Sequence, residues 1–74
     1  QIADGDYVVV RKQTTASPGE MVVAQTPDGE ATLKYWHPEK HRIRLQPANA
    51  SMDPIYVKDA AVVGVVVGVV RSMR

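Results

Sequence analysis

Ala61-Val62-Val63-Gly64-Val65-Val66-Val67-Gly68-Val69-Val70-Arg71 is the stretch on which the fold class turns. Its apolar run fits a buried helix or a strand. Valine supplies most of it, and two heavy atoms on Cβ make χ1 stiff in a way that suits a pleated strand better. The run is too short for a membrane helix, which needs about 20 residues. Gly64 and Gly68 stand four apart, as in a helix-dimer motif. In a strand such glycines instead mark a bulge or a close backbone approach, and this is the reading adopted. A strand apolar on both faces needs cover on both. The rest of a 74-residue chain is too small to supply it, so a segment outside the chain or a second subunit is expected there.

Working outward, the runs are short and turn signals frequent, the all-β pattern. Asp4-Gly5-Asp6 reads as a turn, followed by a strand over Tyr7 to Lys12. Thr14 to Gly19 is a loop containing Ser17-Pro18-Gly19. Glu20 to Gln25 is the second strand. Pro27-Asp28-Gly29 is a hairpin turn, because glycine supplies a positive φ at no steric cost. Glu30 to Trp36 returns as the third strand. His37 to His41 is a polar connection containing Pro38, Arg42 to Gln46 the fourth strand, Pro47 to Pro54 irregular, and Ile55 to Val57 a short fifth strand. There is no internal repeat or linker.

Composition narrows the function classes. The net charge is +1 and there is no cysteine. A disulfide scaffold is therefore out, and a reducing compartment is consistent. Arg42 and Arg44 alternate with Ile43 and Leu45 and read as the wet face of a strand, so the segment is not expected to bind DNA by itself. A domain of this length buries only about 60% of its unfolded surface, which leaves a marginal core. The opening Gln1-Ile2-Ala3 has no initiator methionine and no leading element, from which a fragment is expected.

Several residues carry candidate chemistry. His37 and His41 flank Glu39 four apart, a metal-like spacing on a helix, but Pro38 and the strand context favour a solvated connection. A Ser–His–Asp set has the residue types without a local signature. Asp4 and Asp6 are explained by their turn. Lys34 stands apart: alternation puts Thr32, Lys34 and Trp36 on one face of the third strand and Ala31, Leu33 and Tyr35 on the other. A mid-strand lysine usually lays its stem along apolar surface. Burial also lowers a lysine pKa, and a neutral amine takes a proton from a serine hydroxyl.

Five pieces in order resemble the C-terminal self-cleaving domain of LexA-type repressors. Asp4-Gly5-Asp6-Tyr7-Val8-Val9-Val10-Arg11 is similar to the segment after the nucleophile, and Pro18-Gly19-Glu20-Met21-Val22-Val23-Ala24 to the next family strand. Gly29-Glu30-Ala31-Thr32-Leu33-Lys34 resembles the strand that ends in the catalytic lysine. Leu45-Gln46-Pro47-Ala48-Asn49 with Asp53-Pro54-Ile55 resembles a later loop, and Val66-Val67-Gly68-Val69-Val70-Arg71 the closing strand.

The resemblance implies an all-β fold of small twisted antiparallel sheets, of the β-clip or signal-peptidase-like kind, over residues 1–74 as one partial domain. It implies a Ser–Lys dyad with Lys34 as general base, no cofactor, and cleavage of an Ala-Gly bond in the protein's own chain. It also implies a homodimer in the bacterial cytoplasm and stimulation by a RecA–single-stranded DNA filament. Operator DNA would be bound through an N-terminal helix-turn-helix domain. That domain, the cleavage site and the Ser-Met pair bearing the nucleophile are expected upstream of Gln1, so the chain alone should be inactive and its lysine protonated. Thr32 is expected to help shape the site. Ser51-Met52 copies the Ser-Met pair but lies after the lysine strand, in a loop where serine is an ordinary turn residue. UmuD-like polymerase accessory proteins, phage repressors and, more remotely, membrane signal peptidases share the domain. A small β binding module without chemistry is the reading from another class. The last strand, taken as an uncovered apolar edge, is expected at the subunit interface.

Overall fold

The computed structural model describes residues 5–71 and contains no helix among them. Six strands form one antiparallel sheet: β1 (Tyr7–Lys12), β2 (Met21–Gln25), β3 (Ala31–Pro38), β4 (Ile43–Gln46), β5 (Ile55–Val57) and β6 (Ala61–Val70), in the order β1-β6-β2-β3-β4-β5. The several small sheets expected are thus a single sheet. Three turns use glycine at positive φ: Gly5 (85°), Gly19 (89°) and Gly29 (84°). Gly29 closes the β2–β3 hairpin, where the Gly29 amide donates to the Thr26 carbonyl and the Thr26 amide to the Glu30 carbonyl, both at 2.9 Å. A turn whose last residue sits in the left-handed region is a standard short hairpin loop. At its far end the hairpin is lengthened by Trp36 N–H donating to the Glu20 carbonyl and Gly19 N–H to the Trp36 carbonyl.

Strand limits move by a residue or two from those expected. Glu20, Glu30, Arg42 and Arg71 fall just outside their strands. His37 and Pro38, expected in a connection, complete β3 and pair with Arg44 and Ile43. Proline is tolerated there because the strand ends on it and its missing N–H costs no interior ladder bond.

The last strand is not an outer strand of the sheet. It changes partner along its length: Ala61–Val65 pair with β2, and Gly64–Val70 with β1. Two bulges accomplish the change. Val63 is passed over between Val62 and Gly64 opposite β2, and Val67 between Val66 and Gly68 opposite β1. Each extra residue twists the strand and resets which face its neighbours present. Each bulge immediately precedes a glycine. At Gly64 a Cβ would overlap Val10 Cγ1 and stand 3.0 Å from the Arg11 carbonyl oxygen, so the backbones approach closely here.

The core lies on one face of the sheet. Val22, Ala24, Trp36, Leu45, Val62 and Val65 are its buried members, with Ala16, Ile43, Val57 and Ala60 packed against them. Fully burying a side chain such as Leu45 or Val22 contributes about 1.5–3 kcal/mol. The coverage stops short of the β1 end, where Tyr7, Val9, Val67, Val69 and Val70 stay exposed. Total accessible surface is 5427 Å², against roughly 4,500 Å² for a self-contained 8.1 kDa monomer by the usual size scaling.

Candidate functional site around Lys34

Register places Lys34 on the core face. β3 pairs with β2 so that Lys34 lies opposite Val22 and Thr32 opposite Ala24. Both partners are fully buried. Trp36, two residues on, is also a core residue. Thr32, Lys34 and Trp36 therefore share one face, as alternation requires. The stem of Lys34 runs along apolar surface, and the residue is half-buried.

The ammonium end is held by two oxygens. Nζ donates to Thr32 Oγ1 at 2.9 Å and to the Leu33 carbonyl at 3.3 Å. Among the described residues no carboxylate lies within ion-pair reach of it; the ion pairs there are those of Glu39 with Arg42 and Arg44. These two contacts fix where the Lys34 side chain ends, on the core side of β3. An open groove of about 410 Å³ on the Thr32 side is lined by Pro27, Thr32, Leu45, Ile55 and Val57, among others. Asp28 and Glu30 line it beside these apolar residues.

The other candidates fall elsewhere. Ser51 sits in the Pro47–Pro54 loop and is exposed. Its hydroxyl donates to Asn49 Oδ1 at 2.8 Å and its amide to the same atom at 3.0 Å, so it is a turn residue held locally. No hydrogen bond joins it to Lys34 among the described residues. His37 is half-buried in β3 and His41 is exposed in the following connection. Glu39 between them is engaged by Arg42 and Arg44, which hold its carboxyl below the usual range, chiefly through the Arg42 hydrogen bond. No group of three or more metal-ligating side chains occurs among the described residues. Asp4 lies outside the described residues, and Asp6 is half-buried. No helix there is long and apolar enough to cross a membrane.

Val22, the residue opposite Lys34, escaped the sequence reading. Its signal was present: fixing the turn at Pro27-Asp28-Gly29 sets the hairpin register and with it the cross-strand neighbour.

Comparison with known proteins follows the same residues. The profile of the Peptidase S24-like family matches residues 1–67. The LexA repressor of Staphylococcus carnosus is 54% identical over 72 residues, which is 97% of this chain and 35% of that protein. That of Geobacillus kaustophilus is 54% identical over 70 residues, 95% of this chain and 34% of that protein. That of Staphylococcus aureus is 51% identical over 72 residues, with 97% and 35% covered. The chain spans about a third of the length of the curated relatives it matches.

Proposed function

Because the chain belongs to the Peptidase S24-like family, we propose that it is the C-terminal protease and dimerisation part of a LexA-type transcriptional repressor of the DNA-damage response. In this reading Lys34 is the general base of a Ser–Lys dyad whose serine is supplied from outside residues 1–74. The observation that carries it is the position of Lys34: on the core face and hydrogen-bonded to Thr32 and Leu33. Neutral Nζ accepts the proton of the serine Oγ–H as Oγ bonds to the carbonyl carbon of an Ala-Gly peptide in the same protein. The tetrahedral intermediate then breaks its C–N bond, and the ammonium returns the proton to the leaving amine; water, giving a proton to Nζ, then attacks the acyl-serine ester, and Oγ leaves with that proton to free the new carboxyl end. Thr32 is a positioning residue, since it touches the base.

The repressor reading brings partners with it. A RecA–single-stranded DNA filament would promote cleavage, and operator DNA would be held by a helix-turn-helix domain of the full protein, in the bacterial cytoplasm. A second copy would pair through β6. On the side away from β1, β2 reaches only to Val65, which leaves the backbone of Val66–Val70 open among the described residues. Val67, Val69 and Val70 are exposed beside it. An open apolar edge of this kind invites a strand from another chain.

The test is self-cleavage of the full-length protein at mildly alkaline pH. Lys34→Ala is expected to lower the rate by about 100-fold or more. Thr32→Val, which removes one acceptor, is expected to lower it by about tenfold, the scale of one lost hydrogen bond. Its pH–rate profile should be altered, a change that mere loosening of the fold would not produce. Cleavage unchanged in a folded Lys34→Ala protein would leave a binding module in place of a peptidase. For the dimer, Val69→Lys is expected to shift the full-length protein toward monomer in sedimentation at micromolar concentration.

A further inference from the structure

The sheet face opposite the core carries a second cluster, unrelated to Lys34. Register lines up His37, Arg44 and Tyr56 across β3, β4 and β5. Their strand neighbours Trp36 and Leu45 are core residues, so this row points away from the core. The Arg42 guanidinium lies over the Tyr56 ring, 3.8 Å from its centroid. Glu39 reaches both arginines with one carboxylate: Oε1 accepts from Arg42 Nε at 2.7 Å, and Oε2 stands 3.5 Å from Arg44 Nε. Two guanidinium groups therefore converge within the span of a single carboxylate, on a surface where all three side chains remain a third to a half exposed. Lys40 in the same connection and Lys58 just after β5 add charge at this end. Two cations thus face Glu39, in a chain whose totals are nine against eight.

We propose that this β3–β4–β5 end docks an acidic polypeptide segment, one carboxylate of which seats on Arg42 and Arg44 in the place that Glu39 now fills. Glu39 is the internal occupant, and the partner displaces it. Arg and Tyr are the residue types that dominate the centres of protein–protein interfaces. Planar guanidinium forks match carboxylates in a bidentate manner. β5 is the outer strand of the sheet, so an extended segment can lie alongside it. Nucleic acid fits less well: the Tyr56 face that would stack a base is already roofed by Arg42.

The experiment is a titration of the full-length protein carrying this chain, followed by fluorescence anisotropy. The probes are a labelled poly-glutamate peptide and single-stranded and duplex oligonucleotides of matched charge. The peptide is expected to bind, while oligonucleotide binding, which on the proposed function belongs to the helix-turn-helix domain, should be unchanged by Arg42→Ala with Arg44→Ala. Glu39→Ala should tighten peptide binding by about threefold, the scale of one exposed ion pair. Glu30→Ala, the same charge change at the β2–β3 turn, should leave it unaltered. Arg42→Ala with Arg44→Ala should weaken it by about tenfold, the scale of a lost charge-assisted bond. Thermal melting checks the fold; if the double variant unfolds, the exposed Arg42→Gln alone takes its place and must weaken binding. No peptide binding, loss of oligonucleotide binding without the arginines, equal responses of Glu39→Ala and Glu30→Ala, or unchanged peptide binding without the arginines would each overturn the proposal.

Discussion

The β2–β3–β4 half of the sheet and the β1–β6 end both carry apolar side chains on paired strands and meet opposite fates. In the first, Val22, Ala24, Trp36 and Leu45 lie on one face and are buried. In the second, Tyr7 is 70% exposed and Val67 51%, although both belong to paired strands. Apolar residues in a strand state that a surface is to be covered; they do not state by what. One half is covered by its own chain, folded back through Ala16, Val57 and Ala60. The other stays exposed, and β6 joins the two by way of its bulges at Val63 and Val67.

That contrast can be broken at its strongest point first. Leu45→Ala is expected to destabilise by about 2–5 kcal/mol, because it leaves a cavity in a packed core. Val67→Ala in the same isolated chain should change stability by less than about 0.5 kcal/mol, the ordinary surface range. Equal costs in urea unfolding would mean that the two halves do not differ. In the full-length protein, any cost at Val67 that appears only at high concentration would identify a second copy as the cover.

The two glycines sharpen the comparison along β6 itself. Gly64→Ala is expected to cost about 1–3 kcal/mol, because its methyl is forced against Val10 Cγ1 and the Arg11 carbonyl and the strands must part. At Gly68 the nearest atom to a built Cβ is Val9 Cβ at 3.9 Å. Ala is accommodated there, and a shift in melting temperature within error is expected. Only the first glycine is required by close approach, and the thermal melts of the pair check this.

The smallest effect concerns acid. Thr26 and the Glu30 amide hold the Asp28 carboxyl below its usual range, and Arg42, then Arg44, do the same for Glu39. Both are folded-state depressions. The stability they add is fully present above the ordinary carboxylate pKa of about 4. It is lost as pH falls through the lower folded values. Glu39→Gln and Asp28→Asn should each flatten the acid limb of a stability-versus-pH curve, while leaving its neutral region little changed.

Much of this was legible from the residues. The Pro27-Asp28-Gly29 turn, the valine-dominated runs and the alternation in Thr32-Leu33-Lys34-Tyr35-Trp36 are local features, and local sterics decide them. Tyr7–Lys12 and Ile55–Val57 have the limits expected. Assigning a role to Lys34 drew on resemblance, since alternation fixes the face of a lysine and not its use. His37 and Pro38 were misplaced because turn-forming residues also end strands when the partner strand continues the ladder.

Order in the sheet could not be read in this way. Nothing in the composition of β6 says that it lies between β1 and β2, or that it trades one for the other at Gly64. Those facts depend on backbone hydrogen bonds between segments far apart in the chain, which any residue but proline can make. The same holds for Arg42 over Tyr56, which meet only because β4 and β5 pair. The sequence by itself determined that the chain is a run of short strands and that Lys34 shares a face with Thr32 and Trp36. The tertiary structure alone decided that this face is the core, because burial is a property of what packs against a strand and not of the strand.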